Sequence, residues 1–183
     1  MKLSTTPLAG LSVADTVRLI DERGSFLRLF CAHDLSEVLG ERQIVQINVS
    51  RTLNQGAIRG LHFQKTPAAE MKLVRCIRGK VFDVALDLRR NSPTFLQWYG
   101  QVLSAENSKM MVIPEGFAHG FQALQADVEM LYMHTKFYTP ELESGLNFGD
   151  PKLKIDWPLA VTDVSDKDRQ HPYVSNNFEG LNI

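Results

Sequence analysis

The stretch V-F-D-V-A-L-D-L at residues 81–88 decides the fold. Its side chains alternate with a period of two, as they do along a strand. Phe82, Val84, Leu86 and Leu88 fall on one face, and Val81, Asp83, Ala85 and Asp87 on the other. Aspartates are not stable in plain hydrocarbon, so the second face meets solvent or a polar cavity. Working outward, residues 25–30, 44–50, 72–78, 97–103, 109–113, 120–123 and 128–134 read as further strands. Gly56, Gly79-Lys80, Asn91-Ser92-Pro93, Pro114-Glu115-Gly116 and Thr139-Pro140 punctuate them as turns. Many short strands with little 3.6-residue periodicity predict an all-β sandwich or barrel. Residues 34–40 read as a short helix with Asp34 as its cap. Residues 150–176 carry Pro151, Pro158, Pro172 and many charges, and read as a segment wrapped around the barrel.

The length of 183 residues suits one domain over 1–183, with a barrel core at about 20–140 and a C-terminal wrap at 141–183. Lysine plus arginine total 20 against 21 acidic residues, a net charge of −1, which argues against a general nucleic-acid binder. Cys31 and Cys76 are too few for a disulfide framework, and no C-x-x-C pair suggests structural zinc. The N-terminal stretch has no continuous apolar run, so neither a signal peptide nor a membrane span is expected. Free thiols then imply the cytoplasm.

Several segments carry residues suited to chemistry. In R-G-L-H-F-Q at 59–64, His62 and Gln64 share a strand face, and Arg59 joins it only if Gly60 bends the strand. The other reading of this face is plain solvent exposure. In K-L-V-R-C-I-R at 72–78, Lys72, Val74, Cys76 and Arg78 share one face, and Lys72 alone would be an ordinary surface lysine. In M-L-Y-M-H at 130–134, Met130, Tyr132 and His134 share a face, and Tyr138 follows. Read in isolation, both tyrosines are amphipathic strand residues. S-D-K-D-R-Q-H-P at 165–172 reads by composition as a solvated tail.

The turn P-E-G followed by His119, at 114–119, resembles the second motif of cupins. The first cupin motif supplies H-x-H and a later glutamate as metal ligands. Here that position reads His62-Phe63-Gln64, with Glu70 following, so the three-histidine set is incomplete. Two imidazoles and a carboxylate leave a metal-dependent cupin enzyme as an alternative.

The ordered set D-E-R-G at 21–24, Q-I-N-V-S at 46–50, R-G-L-H-F-Q at 59–64, residues 72–95, L-S-A-E-N at 103–107, I-P-E-G-F-A-H-G-F at 113–121, G-D-P at 149–151 and S-D-K-D-R at 165–169 resembles the dTDP-4-dehydrorhamnose 3,5-epimerase family, a branch of the cupins. The resemblance implies a jelly-roll β-barrel with a few short helices. It also implies a homodimer in which the N-terminal strand of one subunit joins its partner's sheet. It implies a nucleotide-linked 4-keto-6-deoxy sugar as substrate, and neither metal nor cofactor. By motif match His62 is the base, Asp168 its carboxylate partner, Lys72 the cation facing the enolate oxygen and Tyr132 the acid. Arg59, His119 and Asp83 complete the polar lining, and Arg23, Gln46, Asn48 and Tyr138 surround the nucleotide and its phosphates.

Those roles suit epimerisation beside a ketone. A neutral imidazole, with an ordinary pKa of about 6.5, removes a proton from carbon near neutral pH. A carboxylate behind it fixes the tautomer and stabilises the imidazolium. A cation stabilises the enolate, and a phenol holds a proton for return to the opposite face. Guanidinium groups suit a diphosphate. Three places depart from the pattern of the thymidine-nucleotide enzymes. Ser25 and Arg28 stand where an aromatic residue and a glutamate are expected, and Met133-His134 follows Tyr132. A CDP- or GDP-linked 4-keto sugar or a heptose is therefore the alternative substrate.

Overall fold

A computed structural model describes residues 1–183. In chain order the strands are β1 (Lys2–Thr5), β2 (Ser12–Asp15), β3 (Arg18–Asp21), β4 (Gly24–Leu27), β5 (Gln46–Thr52), β6 (Ile58–Gln64), β7 (Lys72–Arg78), β8 (Lys80–Asp87), β9 (Trp98–Ser104), β10 (Met110–Ile113), β11 (Phe117–Ala123), β12 (Val128–His134) and β13 (Glu143–Gly145). Two single-turn helices, α1 (Ser36–Leu39) and α2 (Asp166–Arg169), complete the regular structure, with one 3₁₀ turn at Pro140–Leu142.

The strands form two antiparallel sheets, ordered β1-β2-β10-β7-β12-β5 and β13-β6-β11-β8-β9, and a separate β3–β4 hairpin. The two sheets face each other as a jelly roll, and alternation along each strand distributes the core into three layers. Between the sheets lie Val13, Val74, Cys76, Met111 and Ile113 from one side and Val81, Ala85, Leu103, Phe117 and Phe121 from the other. Outside the second sheet, Leu61, Phe63, Val84, Leu86 and Leu88 pack under Leu146, Leu153 and Val174 of the C-terminal wrap. Outside the first, Ala14, Leu73, Met110, Val112 and Met133 pack under Leu35 and Leu39. Each fully buried side chain of this size contributes about 1.5–3 kcal/mol.

The two faces of β8 now have distinct destinations. Its apolar face lies under the wrap, and its aspartate face looks into the barrel. Asp87 is fully buried and saturated: it accepts from Arg89 Nη2 at 2.7 Å, Ser92 Oγ at 2.5 Å and Thr94 Oγ1 at 2.7 Å. Asp83 faces His119.

Several expectations are corrected. Asp34 does not cap α1, which has Leu35 at that position and no side-chain cap. The carboxylate instead binds the N-terminal ammonium at 2.7 Å, a charge-assisted contact that outcompetes a neutral N–H. The strand expected at 25–30 ends at Leu27, and the one expected at 120–123 begins at Phe117. Every residue of β11 is buried, so alternation could not mark its start. β1 and β2 extend the first sheet to residues before 20. No helix is long and apolar enough to cross a membrane.

Candidate active site

A cavity of about 710 Å³ opens between the sheets, lined by β5, β6, β7, β11, β12 and residues 163–168 of the wrap. Gly60 bends β6 at its mouth. Its φ is +105°, and a β-carbon there would lie 2.6 Å from the His119 carbonyl oxygen, so only glycine fits. The register of β11 against β6 shifts at this point. As a result both Arg59 and His62 line the cavity, which regular alternation would forbid. Arg59 is held by Thr52 Oγ1, to which its Nε donates at 2.8 Å, and by the Arg51 carbonyl at 3.0 Å.

Three imidazole–carboxylate pairs stand in or against this cavity. His62 Nε2 donates to Asp168 Oδ1 at 2.6 Å, and the Gly60 N–H donates to Asp168 Oδ2 at 3.0 Å. Burial works against the Asp168 charge, but the hydrogen bonds from His62 and Gly60 hold its pKa below the usual carboxylate range. An ionised carboxylate only accepts, so the His62 proton sits on Nε2 and Nδ1 is left as the basic nitrogen. His119 Nε2 donates to Asp83 Oδ1 at 2.8 Å; Asp83 is fully buried, its second oxygen is unpartnered, and burial pushes its pKa up. His134 Nδ1 donates to Glu70 Oε2 at 2.9 Å. Burial opposes the Glu70 charge as well, yet the His134 hydrogen bond and Lys72 keep its pKa low.

Lys72 is buried at the cavity wall, 3.3 Å from Glu70 Oε1, with its Nζ donating to the His62 carbonyl at 3.5 Å. Tyr132 pairs with Ser50 through its hydroxyl at 2.9 Å, and its ring lies edge-on to His119 and stacks on His134. Burial pushes the phenol pKa well above its ordinary value, so it keeps its proton at neutral pH.

His62, Lys72, Tyr132, Asp168, Arg59, Asn48, His119 and Tyr138 therefore share one cavity. Asp83 lies directly behind His119. Gln46 stands at the edge, where its Oε1 accepts from the Tyr138 N–H at 3.0 Å. Arg23 is not in the cavity; it lies at the β3–β4 turn, exposed and paired with Asp21 at 2.6 Å. Sequence reading gave no role to Ser50, Glu143 and His171, and named Glu70 and His134 without pairing them. Position alone marked His134, which follows Tyr132 by two residues along β12 and shares its side, whereas Glu70 precedes β7 and alternation does not place it. The cupin ligand positions His62, His119 and Glu70 do not converge on a metal, each being engaged by a different partner.

A basic imidazole with a charged partner, an ammonium and a phenol that keeps its proton can take a proton from carbon, hold an enolate and return a proton. What barrel and cavity define together is a cupin-type isomerase. Comparison with known proteins makes the assignment particular. A family profile described as dTDP-4-dehydrorhamnose 3,5-epimerase matches residues 5–176. The enzyme of that name from Pseudomonas aeruginosa is 50% identical over 152 residues, covering 82% of this chain and 83% of the relative. The crystal structure of the Elizabethkingia anophelis enzyme superposes with a TM-score of 0.90 at 39% identity, covering 97% of this chain and 98% of that one. A dTDP-6-deoxy-D-glucose-3,5-epimerase from Legionella pneumophila, solved with dTDP-4-keto-L-rhamnose, gives a TM-score of 0.89 at 41% identity over 94% of this chain and 92% of that one. This chain belongs to the dTDP-4-dehydrorhamnose 3,5-epimerase family. A different nucleotide is not favoured, and Arg28, which suggested one, lies 3.5 Å from Asp34 outside the cavity lining.

Proposed function

We propose that the chain inverts C3 and C5 of a dTDP-linked 4-keto-6-deoxy sugar through enolate intermediates. His62 Nδ1 removes the proton beside the ketone, and Asp168 steadies the imidazolium. Lys72 faces the enolate oxygen, and Tyr132 delivers a proton from the other side. Arg59, His119, Asn48 and Tyr138 bind the sugar and its diphosphate, with Asp83 positioning His119 and Gln46 positioning Tyr138. The observation that carries this reading is the convergence of His62–Asp168, Lys72 and Tyr132 on one cavity. The test is a panel of 4-keto sugar nucleotides incubated in deuterated water. Wild-type protein should place deuterium at the inverted carbons of the dTDP sugar, and His62→Ala should not. Unchanged exchange in that folded variant would remove His62 from its role.

The single domain spans 1–183 and works in the cytoplasm, a setting that suits the free thiols of Cys31 and Cys76. It pairs as a homodimer through its N-terminal strands. The β3–β4 hairpin joins neither sheet and exposes Leu19, Ile20 and Phe26, while β5 offers a free edge with Ile47 and Val49 exposed. Such an edge favours strand addition, and pairing there would bring Arg23 of one protomer toward its partner's cavity. Ile47→Lys combined with Val49→Lys should give a monomer by light scattering; an intact dimer would locate the interface elsewhere.

A further inference from the structure

His171 takes no part in the proton transfers, yet its ring stands against their centre. Its Nε2 is buried and has no hydrogen-bond partner. That atom lies 3.6 Å from Asp168 Oδ1, the oxygen that also accepts the His62 hydrogen bond. The two imidazoles meet edge to face, with centroids 5.5 Å apart. The ring is fixed rather than loosely placed. It rests on Gly145, where a β-carbon would come within 2.4 Å of Nε2, and the His171 carbonyl accepts from Asn147 Nδ2 at 3.3 Å. A buried nitrogen left unpaired is costly, so an arrangement that holds it beside a carboxylate needs an explanation. One donor atom from each of His62, Asp168 and His171 lies within 4.8 Å of the others.

We propose that His62, Asp168 and His171 form an inhibitory binding site for a borderline divalent cation, of which Zn²⁺ is the best match. Zinc holds imidazole nitrogen and carboxylate oxygen at about 2.0–2.2 Å, which sets tetrahedral donors about 3.3 Å apart. Asp168 and His171 are already near that separation at 3.6 Å. The 2.6 Å contact of His62 with Asp168 must open, which a small ring movement at the cavity wall achieves. The fourth position then faces the cavity and takes water. Two imidazoles with one carboxylate suit zinc, whereas Mg²⁺ and Ca²⁺ require a set of oxygens.

The consequence for the base is specific. A neutral imidazole bound to metal through Nε2 carries its proton on Nδ1. Zinc therefore moves the His62 proton from Nε2 to Nδ1, the nitrogen that must be free to accept a proton from substrate. The base is blocked without leaving its place.

The test uses the full chain stripped with chelator, then titrated with ZnCl₂ or MgCl₂ by calorimetry. Wild-type protein should bind one Zn²⁺ per chain and no Mg²⁺. In protein carrying ¹⁵N-histidine, the Nε2 resonances of both His62 and His171 should move together with Zn²⁺, a readout that needs no variant. His171→Phe keeps an aromatic ring over Gly145, and His171→Gln keeps a polar one. Each should weaken zinc binding by at least about tenfold. Zinc should also stop solvent exchange into substrate, with EDTA restoring it, each protein being measured against its own zinc-free rate. The inhibition rests on the reading of His62 as base, but the calorimetry and resonance shifts do not, so the two can fail separately. Absence of stoichiometric zinc binding, equal affinity in wild type and both variants, or shifts confined to other histidines would overturn the site. Stoichiometric binding without inhibition would overturn its inhibitory role and count against His62 as the base.

Discussion

His62 and His119 face each other across the β6–β11 ladder, each hydrogen-bonded to an aspartate, at 2.6 and 2.8 Å. The two pairs differ in everything beyond that bond. Asp168 has a second donor in the Gly60 N–H and a neighbouring imidazole in His171, and its pKa is held down. Asp83 has one bare oxygen and no solvent, and its pKa is pushed up. A carboxylate beside a histidine therefore does not by itself make a base. In the proposed mechanism, support for the carboxylate's charge is what distinguishes the base, because only a charged partner stabilises the imidazolium that proton abstraction creates.

The same substitution in both pairs is the sharpest way to break this contrast. Asp168→Asn should slow deuterium exchange into substrate by roughly 10²–10⁴-fold, the range of a general base's contribution. Asp83→Asn resembles a protonated carboxyl and should stay within about tenfold of wild type, since it leaves the base untouched. Equal losses would mean that both pairs carry chemistry.

Next in size is Lys72→Met. Loss of the enolate's cation should lower kcat by roughly 10²–10³-fold while fluorescence-measured binding of the nucleotide changes little. Tyr132→Phe should have a smaller and more selective effect. Exchange should persist while NMR shows inversion slowed by more than about tenfold, since acid catalysis alone is worth at least that much. Normal inversion in this variant would place the acid elsewhere.

The smallest effect is on stability, and the two aspartates should move it in opposite senses. Asp168 has a lowered folded pKa, so its stabilisation is full above the unfolded value of about 3.9 and is lost as pH falls through the folded value. Asp83 has a raised folded pKa, so its contribution is full below about 3.9 and is lost as pH rises through the folded value. Thermal melts between pH 3 and pH 8 should show Asp168→Asn destabilised by about 1 kcal/mol at the alkaline end and by less toward pH 3, and Asp83→Asn stabilised at the alkaline end by a similar amount. Parallel curves for the two variants would show that the carboxyls titrate alike.

Much of this arrangement was readable along the chain. The alternation at 81–88 identified a strand with one polar face, and the strings around His62, Lys72, His119 and Tyr132 marked the cavity walls. β2 was not readable, because Ser12, Val13 and Ala14 are all buried and leave no alternating signal. β1 is a short edge strand with mostly exposed side chains, which gives no apolar signal either. The mixed charges at 165–169 read as a solvated tail by composition, yet they form α2, capped by Ser165 Oγ, which accepts from the Asp168 N–H at 3.1 Å. Four residues are too few for periodicity to register. His171 had no local signal, since its significance comes from a glycine 26 positions earlier that leaves room for its ring.

His62, the proposed base, sits on the interior strand β6, but Asp168 arrives from the last fifth of the chain. That strap is tied to the barrel by the Ile58 N–H to the Asp163 carbonyl at 2.9 Å, and braced within itself by Asn147 Nδ2 to the Arg169 carbonyl at 3.0 Å and by the Val174 N–H to Asp150 at 2.5 Å. A molecule whose two sheets have assembled while this strap is still loose is a finished container with an idle imidazole. The pairing of His62 with Asp168 thus depends on contacts that lie outside the pair itself.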